Sequence, residues 1–264
     1  MSQHWEIYAL KYAEKTVRLR MENFLFDDHP TDNAPIDFFV WVLKNGDRTI
    51  LVDTGFDRKE AERRGSPILR DPVEALADFG IDAATIDTVV ISHMHFDHAG
   101  GLDRYPAARF HIQEREMAYA TGPCVCPGAL QRPFTVDHVC EMVRHVYSGR
   151  VEFHKGDGQV APGVTVHRTG GHSKGLQVVR VETRVGPVCL ASDATHFYEN
   201  FQGGKLFPIV HNAEDMLEGF RIIRRLAGGE DARVIPGHDP LVRKLFPAAG
   251  RTGFAWRLDA EQVA

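Results

Sequence analysis

Three imidazoles and a carboxylate fall within six residues at His93-Met94-His95-Phe96-Asp97-His98, directly behind the run Thr88-Val89-Val90-Ile91. That is more coordinating groups than one metal ion takes from one loop, and no other feature constrains the chain as much. Side chains alternate faces in an extended backbone, so His93, His95 and Asp97 are expected on one side and His98 on the other. The arrangement suits two adjacent metals, with His93 and His95 on one ion and Asp97 and His98 on the other. A solvated histidine-rich loop is the competing reading. The apolar strand that feeds the run and the Gly100-Gly101 pair that stops it argue against that reading.

A catalytic zinc takes about three protein ligands and keeps one position open, so two ions need more than this loop supplies. Three candidates stand downstream: His172 in Thr-Gly-Gly-His-Ser-Lys-Gly, Asp193 in Leu-Ala-Ser-Asp-Ala-Thr and His238 in Val-Ile-Pro-Gly-His-Asp-Pro. Each follows a short apolar run that reads as a strand, at 164–166, 188–191 and 232–235. Glycine, proline or small residues beside each allow close approach. Asp53, in Ile-Leu-Val-Asp-Thr-Gly, stands at a fourth strand end of the same kind.

In this order, Leu-Val-Asp53-Thr-Gly, the His93-x-His95-x-Asp97-His98 run, Gly-His172, Asp193 and Gly-His238 resemble the five motifs of the metallo-β-lactamase fold superfamily, over residues 36–240. The resemblance implies an α/β fold, a four-layer αβ/βα sandwich with a dinuclear site at one edge. It implies two zinc ions per chain, with iron or manganese as alternatives. It further implies that His93, His95 and His172 bind the first metal and that Asp97, His98 and His238 bind the second. Asp193 would bridge them, and Asp53 would support the ligands from behind, as carboxylates commonly do for metal-bound histidine.

Bulk properties remove several rivals. With 264 residues, 43% hydrophobic and 25% charged, the chain reads as one globular domain over 1–264. Its net charge of −5 argues against a nucleic-acid partner held by bulk electrostatics. Neither a signal-type apolar segment nor a membrane-spanning length is visible, so a cytoplasmic protein with no membrane partner is expected. Cys124, Cys126, Cys140 and Cys189 are too few for a disulfide scaffold and are expected to be reduced.

Strands are expected at 5–13, 17–26, 36–43 and 49–53, the last two joined by the hairpin signal Asn45-Gly46-Asp47. Asp71 and Pro72 open a helix that ends near Gly80. A helix over 213–227 buries Met216, Leu217, Phe220, Ile223 and Leu226, leaving Arg221, Arg224 and Arg225 to solvent. The segment 114–149, with a helix over 137–147, reads as an insertion lying over one side of the site, where loops carry specificity.

Within the superfamily the chain looks most like the N-acyl homoserine lactonase branch. That resemblance implies opening of a lactone or related carboxylic ester by a metal-bridging hydroxide, with Asp97 holding and delivering the proton. In that branch a tyrosine three residues after the bridging aspartate hydrogen-bonds the lactone carbonyl. Here that position is His196, and the nearest tyrosine is Tyr198. His196, or Tyr198, is therefore expected beside the second metal. Phe24, Phe26, Phe197 and Phe201 are candidates for an apolar pocket. Competing readings are a glyoxalase II-type thioesterase, which usually adds a helical C-terminal domain, and a phosphodiesterase on a small substrate. An iron oxidoreductase of the flavodiiron pattern would place glutamate where His95 stands. The expected partner is a small ester or lactone, and a homodimer remains open.

Overall fold

Between Glu6 and Lys15 successive side chains enter different cores. In this strand, β1 (Glu6–Lys15), Ile7 and Ala9 join one buried cluster while Leu10 and Tyr12 join another. The next strand, β2 (Ile36–Asn45), repeats the split, with Phe39, Trp41 and Leu43 on one side and Phe38, Val40 and Val42 on the other. Strands that are apolar on both faces belong to a sheet covered on both sides.

The computed structural model describes residues 4–66, 68–126, 128–251 and 253–263. The first three residues of the N-terminal stretch, and Pro127 of the Gly-Pro-Cys-Val-Cys-Pro-Gly run, lie outside them. β1 and β2 sit in a seven-stranded sheet, continued on one side by β12 (Ala255–Arg257) beside β1. On the other side β3 (Arg48–Val52), β4 (Thr88–Val90), β5 (Arg109–Gln113) and β6 (Val151–His154) follow β2 in that order. The second sheet has five strands, ordered β11 (Val234–Pro236), β10 (Gly186–Ser192), β9 (Gln177–Thr183), β8 (Val164–Arg168) and β7 (Gly158–Ala161). Trp41, Ile50 and Val52 of the first sheet share a cluster with Val178, Val181 and Leu190 of the second, so the two sheets face each other.

Helices cover the outer faces. Against the first sheet lie α1 (Arg58–Arg64), α2 (Pro72–Asp78), α3 (Glu114–Ala120) and α4 (Val136–Tyr147), with Ala61, Leu76, Met117 and Met142 in its outer cluster. After α5 (Tyr198–Gly203), α6 (Ala213–Leu226) packs on β10 through Met216, Phe220 and Ile223. The result is the helix–sheet–sheet–helix sandwich of the metallo-β-lactamase fold. Asp71 caps α2 through a reciprocal bond pair with Glu74, as its sequence suggests. The hairpin closes with Asn45 paired to Arg48, and Gly46 supplies the positive φ (+60°) that a two-residue loop needs.

Two expectations are corrected. Residues 17–26 form no strand. Their backbone bonds go to a neighbouring loop, Arg20 N–H to Asp32 and Met21 N–H to Pro30, around a short 3-10 turn. Alternation there reflects exposure rather than burial, with Val17 86% and Met21 54% accessible. On α6, Leu217 is 41% exposed, and Gly219 instead lies in the buried face.

Gly55 fixes the turn after β3. Its φ is +72°, and a Cβ there would stand 2.8 Å from Pro72 Cγ and 2.9 Å from Tyr12 Cζ. Left-handed strain of about 1–2 kcal/mol and overpacking of about 1–3 kcal/mol add here. Gly55→Ala is therefore expected to lose about 2–5 kcal/mol, read as a lower urea midpoint with an unchanged slope.

Candidate metal centre

Five strands deliver the site, each from its C-terminal end. Asp53 follows β3, the His93–His98 run follows β4, His172 follows β8, Asp193 follows β10 and His238 follows β11. Both sheets therefore contribute to one edge. The ligand run is not extended as its sequence suggests. The N–H groups of His98 and Ala99 both return to the His95 carbonyl, so the chain turns and brings His98 back beside His93, ring centroids 4.2 Å apart.

Asp193 is the hub. Its Oδ2 lies 3.1 Å from His172 Nε2, 3.7 Å from His93 Nε2 and 3.0 Å from His196 Nε2. Its Oδ1 lies 3.0 Å from His238 Nε2 and 3.3 Å from His98 Nε2. His95 reaches the first group through Nδ1, 2.9 Å from His172 Nε2. Asp97 joins the second, its Oδ2 3.7 Å from His98 Nε2 and 3.8 Å from His238 Nε2. His93, His95 and His172 thus make one close set of ligand atoms, and Asp97, His98 and His238 another.

The far side of four of the imidazoles is anchored. His172 Nδ1 donates to the Ile209 carbonyl at 2.7 Å, and His238 Nδ1 donates to the Asp37 carbonyl at 2.9 Å. His98 Nδ1 donates to Asp53 Oδ2 at 2.7 Å, and His93 Nδ1 donates to Ser92 Oγ at 3.0 Å. Asp53 also accepts the backbone N–H and the hydroxyl of Ser92. Ser192, on the second sheet, donates its hydroxyl to Ser92 Oγ at 2.9 Å. Asp53 and Ser192 both hold positive φ, +59° and +44°, a cost of about 1–3 kcal/mol each that the surrounding bonds must offset.

These contacts leave the Nε2 atoms of His93 and His98 and the Oδ1 of Asp193 buried without a hydrogen-bond partner. Buried polar atoms are nearly always paired, and imidazole nitrogens with carboxylate oxygens form the donor set of zinc, iron and manganese. The residues fit a metal. Burial, followed by the neighbouring imidazoles, pushes the His93 and His95 pKa values well down, keeping their rings neutral, as ligands must be. Burial alone would also lower His98 and His238, but the Asp193 carboxylate and its acidic neighbours lift both above the usual histidine range.

His196 lies between the two sets rather than beside the second alone. Its ring is 4.8 Å from that of His172 and 5.3 Å from that of His238. Phe207 stacks on it at 3.3 Å and 6°. Tyr198 is not brought to the site: its side chain packs in the cluster between and behind the sheets. The phenylalanine expectation holds in part: Phe24 and Phe197, 5.4 Å apart, line a small cavity that includes none of the candidate ligands, whereas Phe26 is 99% exposed and Phe201 is in the inter-sheet cluster.

In front of the ligands opens a cavity of about 630 Å³, with Phe38, Phe96 and Phe207 among its walls. Tyr119, Leu130 and Pro133 of the 114–149 segment wall one side, and Phe134 stands edge-on to His95 at 4.8 Å. That segment also supplies Glu116, which the sequence did not single out. Its buried carboxylate accepts the N–H groups of Met94 and Gly175 and the Ser173 hydroxyl, tying the β4 loop to the β8–β9 loop.

Residues 39–238 match the profile of the metallo-β-lactamase superfamily. The chain belongs to that superfamily. Its fold and His/Asp cluster make it a metal-dependent hydrolase. It is 28% identical over 180 residues to an N-acyl homoserine lactonase of Azorhizobium caulinodans, covering 66% of this chain and 67% of that one. To an N-acyl homoserine lactonase of a Bacillus species it is 26% identical over 237 residues, covering 80% and 88%. Among solved structures, an N-acyl homoserine lactone hydrolase with N-hexanoyl-L-homoserine at its catalytic metal centre superposes with a TM-score of 0.75. That pair is 22% identical over 90% of this chain and 95% of the other. A dizinc quorum-quenching lactonase superposes with a TM-score of 0.67 at 16% identity, over 89% and 87%. No helix among the described residues is long and apolar enough to cross a membrane.

Removing Asp53 leaves Ser92 and His98 without their shared acceptor. Asp53→Ala is expected to weaken metal binding about 10–100-fold, the usual scale for such supporting carboxylates. Chelator competition checks this, with circular dichroism to show the fold retained.

Proposed function

We propose that the protein opens a lactone, or cleaves a related carboxylic ester, using two metal ions held at this edge. The observation that carries the reading is the division of the Asp193 carboxylate, Oδ2 toward His93 and His172 and Oδ1 toward His98 and His238. His93, His95 and His172 would hold one ion, and Asp97, His98 and His238 the other, with Asp193 between them. Zinc suits these donors, and iron or manganese is accommodated by the same set. Two such ions would supply a shared hydroxide at neutral pH and polarise the ester carbonyl.

The chain's own groups complete the chemistry. Asp97 is the less buried of the two site aspartates in the ligand sets, and it faces the cavity. Its carboxylate takes up the proton released on attack and returns it to the leaving alkoxide. His196 keeps Nε2 over Asp193 Oδ2 at 3.0 Å, its ring plane fixed by Phe207. With Asp193 Oδ2 committed to an ion, that N–H would be released to a carbonyl seated in the cavity, the role the resemblance implies for a tyrosine at this position. The apolar walls and the 114–149 segment exclude water and orient the acyl group. The N-acyl homoserine lactonase names of the relatives support the reaction class.

Purified protein is expected to carry close to two metal ions per chain by elemental analysis; one ion with all seven ligands intact would sink the dinuclear reading. Activity on a panel of lactones, thioesters and phosphodiesters tests the substrate class. Turnover of thioesters or phosphodiesters without lactones would move the assignment to a glyoxalase II-type thioesterase or a phosphodiesterase. His196→Ala is expected to lower kcat on the best lactone roughly 10²–10³-fold with metal content unchanged, as removal of a carbonyl-polarising donor does elsewhere. Loss of one ion instead would make His196 a ligand, an arrangement its closeness to His172 and Asp193 also allows.

A further inference from the structure

The cavity in front of the ligands is charged in one sense. Lys15, Arg18, Arg64 and Arg132 line it, and among the described residues the acids that do so are Asp97 and Asp193, both turned to the imidazoles. Arg64 is used internally, bonding Glu60 and the carbonyls of Arg132 and Phe134. Arg132 is exposed at the rim. Lys15 and Arg18 are different.

Lys15 ends β1 opposite Ile36 of β2, one residue from Asp37, whose carbonyl holds His238 Nδ1. Its side chain is half-buried, and the carboxylates around it are committed elsewhere. Glu14 pairs with Lys11, Asp37 with Lys11 and Arg243, and Asp97 with the site histidines. Burial, and then Arg18, pushes the Lys15 ammonium below its usual range. Arg18 spends Nε on Asn23 and one terminal nitrogen on the Glu22 carbonyl. The carboxylate paired with it, Glu22, is 3.8 Å away and half exposed. The Arg18 guanidinium stands 5.9 Å from the Phe207 ring centroid, and Phe207 is the ring stacked on His196. Two cations are thus held in the cavity wall, and one of them, Arg18, stands one aromatic ring away from His196. Glu22 and Asp97 oppose this only in part, and such burial of like charges is unfavourable.

We propose that Lys15 and Arg18 form an anion subsite, and that the lactone or ester taken by this enzyme carries a carboxylate on its acyl chain, away from the scissile carbonyl. The reaction in this statement rests on the acyl-hydrolase reading above, whereas the subsite rests on the cavity alone. A plain alkyl chain offers these two cations no partner. A carboxylate accepts charge-assisted hydrogen bonds from both, with the guanidinium suited to a bidentate pair.

Calorimetric titration of the zinc-loaded protein with glutaramate, and with glutaramide as its neutral match, tests the subsite without turnover. Glutaramate is expected to bind at least about tenfold more tightly, the scale of a hydrogen bond to a charged group. Lys15→Met and Arg18→Gln should each remove most of that preference. Equal affinity of wild type and Lys15→Met for glutaramate, or no wild-type preference over glutaramide, overturns the proposal. In turnover, the kcat/KM ratio of a γ-lactone with a carboxylate-ended chain over its methyl-ended isostere should fall about tenfold in Lys15→Met; an unchanged ratio counts against the subsite. If neither lactone is hydrolysed, the lactonase reading fails, and the titration still decides the subsite.

Discussion

A buried carboxylate surrounded by imidazoles is the interaction on which this molecule is organised. Burial alone would drive Asp193 toward its protonated form. His196, His98, His238 and His172 together hold its pKa well below the usual carboxylate range instead. An uncompensated carboxylate at that depth costs several kcal/mol, so the arrangement persists only while every surrounding ring stays in place. His172, His238, His98 and His93 are held by their opposite nitrogens, on the carbonyls of Ile209 and Asp37, on Asp53 and on Ser92, and His196 is held by the stacked Phe207. Those acceptors come from the first sheet and from the loop before α6. The architecture of two facing sheets with five strand ends at one edge is what brings them within reach.

Two further buried carboxylates act in the same way at longer range. Asp53 joins the turn after β3 to the start of the ligand run, and Ser92 passes that connection to Ser192 on the other sheet. Glu116 joins the ligand run to the His172 loop through three donors. Its pKa is raised, mainly by burial, against the pull of those donors. The 114–149 segment is therefore part of the support of the centre as well as a wall of the cavity.

The clustered histidines and aspartates were legible because their spacing is local and their flanks are unmistakable. His93 to His98 lie within six residues, and Asp53, His172, Asp193 and His238 each follow an apolar run and precede a small or turn-forming residue. Strands with long apolar runs, such as β1 and β2, were legible for the same reason. What stayed hidden depends on contacts distant in sequence. Nothing around Glu116 announces that it will accept bonds from residues 22, 57 and 59 positions away. The place of His196 is set by Phe207, and that of Tyr198 by the inter-sheet core. Residues 17–26 misled because alternating apolar residues look the same on an exposed loop as on a strand, until the partners of their backbone groups are known.

Because the His93–His98 run belongs to one sheet and His172, Asp193 and His238 to the other, an ion bound by these ligands is a cross-link between the sheets. Binding is then linked to folding. Free metal at about a hundred times its dissociation constant adds about 2.7 kcal/mol to the stability of the folded state. A melting temperature for this protein is consequently a function of metal activity in the buffer. Metal supply would then set how long the enzyme survives as well as how fast it works, through one cluster of side chains.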